Sequence, residues 1–126
     1  MPGWPVPRGY ANGRTGRGSV LHVAGQIGWD EQGALGSGLV AQFARALDNV
    51  VAVVRAAGGA PEDIATMTVF VTDIAAYRSA GKEIGAHWRS LLGKHFPAMT
   101  LVAVSALVEP SAVVEIQATA YVGGEP

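Results

Sequence analysis

The chain has 126 residues, of which 49% are hydrophobic and 15% charged, with a formal net charge of −1 and no cysteine. That length suits one compact domain over 1–126, burying roughly two thirds of the surface its unfolded form exposes. The missing thiols exclude disulfides, zinc ribbons and thiol nucleophiles, and the near-zero charge argues against a nucleic-acid or membrane partner recruited by electrostatics.

Residues 1–18 hold three prolines, five glycines and Arg8, Arg14 and Arg17, and read as an extended lead-in with a turn. SVLHVA at 19–24 is apolar and β-branched and predicts a strand. Turns are expected at Gly25, Gly28 and DEQG (30–33), with a short second strand around Gln26 to Trp29. From Leu39 to Ala57, Leu39, Val40, Phe43, Leu47, Val50, Val51 and Val54 recur every three or four residues, while Gln42, Arg45, Asp48, Asn49 and Arg55 fall between them. This spacing predicts an amphipathic helix. Ser37 is placed to cap its start and Gly58 and Gly59 its end, and Pro61 prevents its continuation. IATMTVFVTD at 64–73 predicts a strand, and Tyr77, Ile84, Trp88, Leu91 and Leu92 share one face of a helix over 75–92 that closes at Gly93.

The last strands are Ala98 to Ser105 and Val113 to Val122. Alternation in the second puts Val114, Ile116, Ala118 and Ala120 on one face and Glu115, Gln117, Thr119 and Tyr121 on the other. The order implies an α+β fold: one mixed sheet with two helices on one face. The other face then needs a cover, which predicts a closed homo-oligomer with pockets at the subunit seams. No apolar run is long enough to span a bilayer, and MPGWPVPRGY shows no charged leader before an apolar segment, so a cytoplasmic location is expected.

His22, His87 and His95 form no HxH or HExxH spacing, so no metal site is expected. The serines show no GxSxG elbow, which argues against a serine hydrolase. GRTGRG at 13–18 lacks the GK[ST] ending of a phosphate loop and reads as a solvated hairpin turn; no cofactor is expected. Trp88 and Tyr77 stand at helical spacing and read first as core. Gly25, directly after a strand, allows close approach of a ligand or another chain, though a plain turn is equally consistent.

The stretches VAGQIGWD (23–30), ALDNVVAVVRAAG (46–58), DIATMTVFVTDIAAY (63–77), FPAMTLVAV (96–104) and VVEIQATA (113–120) together resemble the RidA, or YjgF, family of imine and enamine deaminases. The resemblance implies a chorismate-mutase-like α+β fold assembled as a homotrimer, with clefts between subunits for a small metabolite. It also implies hydrolysis of reactive 2-imino acids to 2-oxo acids and ammonia. In that family an arginine after the Pro-Ala pair grips the substrate carboxylate and a glutamate positions water; Met99 and Gln117 occupy those places here. A thioether offers no donor and no charge, and an amide can orient water without exchanging a proton. Glu115, two residues before Gln117 on the same face, is the candidate substitute acid or base, beside the more common reading of an exposed carboxylate as a solvated or salt-bridged surface group. Tyr10, Ala24, Gly25, Trp88, Met99 and Leu101 are the implied ligand-binding positions, with Met99 and Leu101 meeting apolar substrate parts. Ordinary 2-imino acids are therefore expected to be poor substrates, and the expected substrate is a small reactive imine, enamine or unsaturated amino metabolite whose acid group is masked, distant or absent. A noncatalytic binding trimer is the alternative, and RNA cleavage is disfavoured by the charge.

Overall fold

The computed structural model describes residues 1–124 and arranges them around one four-stranded sheet. In chain order the elements are β1 (Gly18–Gln26), α1 (Leu39–Ala56), a 3-10 turn (Pro61–Asp63), β2 (Ile64–Val71), α2 (Ile74–Ser79), α3 (Gly81–Leu92), β3 (Ala98–Ala103) and β4 (Val114–Gly123). The strand order is β1-β4-β2-β3. β4 pairs antiparallel with both β1 and β2, whereas β3 runs parallel to β2. A parallel pair needs a long crossover, which α2 and α3 provide. The mixed sheet and its helices form the expected α+β architecture.

The periodicity of α1 decides which side of the sheet is covered. Phe43, Ala46, Leu47, Val50, Val51 and Val54 are buried along one stripe. They meet the inward row of β4, Val114, Ile116, Ala118 and Ala120, together with Val69, Val71 and Val23 from β2 and β1. Ile84, Trp88 and Leu92 of α3 extend the same core. Each fully buried Val, Leu or Phe here contributes about 1.5–3 kcal/mol relative to exposure.

Several local expectations are corrected. The helix expected over 75–92 is two: Ala80, at φ −95° and ψ 8°, closes α2, its N–H bonding back to the Ala76 and Tyr77 carbonyls, and Gly81 opens α3. Asp73, expected within the preceding strand, instead caps α2 by accepting from the Ala76 N–H at 3.0 Å. No separate strand forms over 26–29, because β1 itself runs on to Gln26; Trp29 makes a single bridge with Leu35 across the turn that Asp30 ties. The Ala34 and Gln32 N–H groups that bond Asp30 hold its carboxyl below the usual aspartate value. Ser37 does not cap α1; Gly38 takes that position without a side-chain cap. Residues 13–17 form no hairpin turn, because the lead-in is tethered beside β3: Ala11 N–H donates to Pro97 O at 2.8 Å and Arg14 Nε to Phe96 O at 3.0 Å. Gly18, taken into the lead-in, already belongs to β1.

Gln42 was placed among the outward residues of α1, yet it is 3% exposed. Its Nε2 donates to the carbonyls of Gly36 and Ser111, both at 3.0 Å, and its Oε1 accepts from the Val113 N–H at 2.9 Å. One amide thus joins the approach to α1 to the approach to β4. Gln42→Leu leaves those three backbone groups unpaired and is expected to cost about 2–4 kcal/mol. Urea unfolding reads this directly, and an unchanged midpoint with an unchanged slope would show that the clasp carries no stability.

Candidate functional site

Side chains alternate across a strand, so the sheet has a second face that no helix covers. Cross-strand register builds rows on it. Gln117 of β4 stands beside Thr68 of β2, which stands beside Thr100 of β3. Glu115, Phe70 and Val102 form the next row, and Thr119 neighbours His22 on the far side. Tyr121 neighbours Val20, which is 51% exposed.

A β-bulge interrupts β1 beside this face. Val23 pairs with Ala118 and Gln26 with Ile116, so Ala24 and Gly25 together oppose Gln117. Such two-against-one insertions bend an edge strand and re-aim its neighbours. The Glu115 side chain lies across Gly25, with its carboxylate where a Cβ would stand. The glycine therefore makes room for a carboxylate, and no basic side chain among the described residues forms an ion pair with it. Asn49 and Arg45 of α1 hold the adjoining chain by donating to the carbonyl of Trp29 at 3.0 and 3.2 Å. That contact keeps Trp29 beside Gly25 and Glu115, around a shallow recess.

A second concavity lies on the helix side. Met99 pairs with Met67, which in turn faces Ala118, so its side chain belongs to the covered face. It forms the floor of a hollow of about 350 Å³ with Phe43, Tyr77, Ile84, Trp88 and Phe96. Trp88 is 5% exposed and therefore a core residue as well as a wall. Its ring stacks on Phe96 with centroids 5.9 Å apart and planes 9° off parallel, and its Nε1 donates to His95 O at 3.1 Å. Burial raises the Tyr77 hydroxyl above the usual phenol value, so it stays protonated near neutral pH. Arg89 and Lys94 stand at the rim, with Gly9 beside them. Tyr10 follows Gly9, is 41% exposed, and is fixed near the mouth by the Ala11–Pro97 bond.

The residues singled out in the sequence thus fall into two groups. Ala24, Gly25, Glu115 and Gln117 meet at the bulge on the open face. Met99 and Trp88 meet in the hollow, with Tyr10 adjoining it. Leu101 is on the helix side too, but it packs into the core and does not line the hollow. Met99 and Gln117 are two strands apart, about 10 Å along the sheet, and on opposite faces. A single chain cannot bring them into one cleft.

Arg89 and Lys94 went unmarked in the sequence, and Phe43 and Phe96 were not marked there as site residues. Arg89 stands four residues after Gly85, hence on the same helix face, but its aim depends on how α3 docks. Around GRTGRG, Glu62 and Asp63 line the same recess as Arg14 and Arg17 and offset their charge, which argues against an anion loop. His87 pairs with Asp48 at 3.1 Å and His95 meets Ile64 O at 2.8 Å. Among the described residues no three metal-binding side chains cluster, and no helix is long and apolar enough to cross a membrane.

The mixed sheet with helices on one side is a fold shared with proteins of known structure. A Rid-family protein of unknown function from Yersinia pestis is 32% identical and superposes with a TM-score of 0.77, over 90% of this chain and 87% of that one. The YjgF gene product of E. coli is also 32% identical, with a TM-score of 0.70 over 89% of this chain and 87% of its own. A 2-iminobutanoate/2-iminopropanoate deaminase of Salmonella typhimurium is 35% identical over 107 residues, 82% of this chain and 80% of that protein. The family described as endoribonuclease L-PSP matches residues 6–122. The chain belongs to the RidA/YjgF family.

The Gly25–Glu115 contact yields a double-mutant cycle. Gly25→Ala should destabilise the protein when Glu115 is present and much less in a Glu115→Ala background, with a coupling of about 1 kcal/mol. Additive effects would mean that the carboxylate does not rest on the glycine.

Proposed function

We propose that copies of this chain associate through their open sheet faces as a homotrimer. The Met99 hollow of one protomer then meets the Gly25–Gln117 bulge of the next, and the composite cleft hydrolyses a small reactive imine or enamine. The observation that carries this reading is the placement of Met99 and Gln117 on opposite faces of one sheet. A second copy is the simplest way to unite them. The open face supports it, since Val20, Phe70, Val102 and Tyr121 supply apolar area among threonines. The Salmonella relative's name supplies the reaction class.

Hydrolysis adds the water oxygen to the C=N carbon, moves one water proton to nitrogen to give a carbinolamine, then moves the hydroxyl proton to nitrogen as the C–N bond breaks, releasing ammonia and a carbonyl compound. Gln117 orients the water through its amide. Glu115 relays the two protons in turn, the first from the attacking water to the imine nitrogen and the second from the carbinolamine hydroxyl to the departing amine. Met99 packs against an apolar part of the substrate. Without a guanidinium at position 99, a carboxylate directly beside the imine carbon has no fork to grip. That loss corresponds to about 2–4 kcal/mol in a dry site, or roughly 30- to 1000-fold.

Imines generated in place by an amino-acid oxidase test this reading. Alanine imine should decay little faster with the protein than without it, and Met99→Arg should accelerate that decay at least about 10-fold. Glu115→Gln should abolish turnover of any accepted imine. Rapid hydrolysis of alanine imine by the unmodified protein would overturn the role given to Met99. A ligand that raises the melting temperature yet is recovered unchanged, with no imine hydrolysed, would favour a binding trimer instead. Light scattering checks the assembly, for which a mass three times the 13.0 kDa chain is expected.

A further inference from the structure

The hollow above Met99 has an uneven charge distribution. Its floor is aromatic and aliphatic throughout, its rim carries Arg89 and Lys94, and no carboxylate among the described residues lines it. Arg89 is exposed, yet its side chain lies along its own helix. Its Nη1 lies over Gly85, 3.3 Å from where a Cβ would stand, so the guanidinium folds back along α3 across the wall of the hollow. Neither Arg89 nor Lys94 forms an ion pair with any described acid. Two cations without an ion pair, beside a preformed apolar recess that no acid among the described residues of the same chain lines, suit a ligand of matching polarity.

We infer that this hollow binds an organic anion whose flat or branched apolar body rests on Met99, Trp88 and Phe96 and whose carboxylate reaches Arg89 at the rim, with Lys94 assisting. The inference rests on the proposed cleft, of which this hollow is one half, and it names the substrate class: the acid group is separated from the reacting carbon by an apolar segment. A planar guanidinium grips a carboxylate through two parallel bonds. Met99 adjusts to an irregular apolar shape and keeps that end of the ligand dry. A compact anion such as an unsubstituted 2-imino acid cannot touch the floor and the rim together.

Calorimetric titration of the intact assembly with phenylacetate and with its uncharged amide tests the inference. The acid should bind about 5- to 10-fold more tightly than the amide at low salt, a modest factor because the rim is open to solvent. That preference should shrink at about 0.5 M salt and disappear in Arg89→Met/Lys94→Met, while amide binding persists. Equal affinities, no binding of either compound, or an undiminished preference in the double variant would overturn the inference. Imine hydrolysis measured on the same preparations separates it from the catalytic reading. Turnover without preference for the acid removes this inference alone, and preference without turnover removes the catalytic proposal alone.

Discussion

The alternation of side chains across β4 governs this molecule. Val114, Ile116, Ala118 and Ala120 must find a hydrophobic cover, and α1 with α3 provides it. The intervening residues are thereby committed to the other face, where Glu115 and Gln117 stand with no helix above them. Every feature of the site follows from that division. The covered side makes an aromatic hollow where α3 leaves a gap over β3, and the open side displays polar groups beside a bulge. A one-residue slip of β4 would exchange the two sets and destroy core and site together.

The two concavities differ in chemistry as they differ in position. The hollow is floored by apolar side chains and rimmed by cations, whereas the recess beside the bulge carries the Glu115 carboxylate near Trp29. A cleft assembled from both would hold a substrate between a cationic wall and an acidic one. Such a site needs no large movement of the backbone, because each wall is already shaped by its own packing: Trp88 against Phe96, and Glu115 against Gly25.

Much of this was legible in the sequence because it depends on periodicity. The apolar stripe of α1, the alternation in β4 and the RidA-like stretches gave the fold class and most element limits within a few residues. What escaped depends on three-dimensional approach. Gln42 sits at a position polar by composition, and its burial became apparent once the loops around Gly36 and Ser111 were seen to converge on it. The break at Ala80 divides a continuous apolar face, so periodicity reads straight through it. Met99 and Gln117 were both marked from the resemblance, but their opposite orientation follows from strand register, which an isolated strand pattern does not specify. Arg89 went unmarked because its aim is set by the docking of α3.

The lead-in has a consequence for colloidal behaviour. β3 is a border strand with parallel pairing on one flank, and its other flank would offer unsatisfied amides and carbonyls to any passing chain. Ala11 bridges to Ala98, and Ala11 and Arg14 take up the carbonyls of Pro97 and Phe96, so the opening of that flank is already occupied. A segment without regular structure of its own thereby acts as a guard against unwanted strand addition, and its prolines and glycines let it lie there without extending the sheet further.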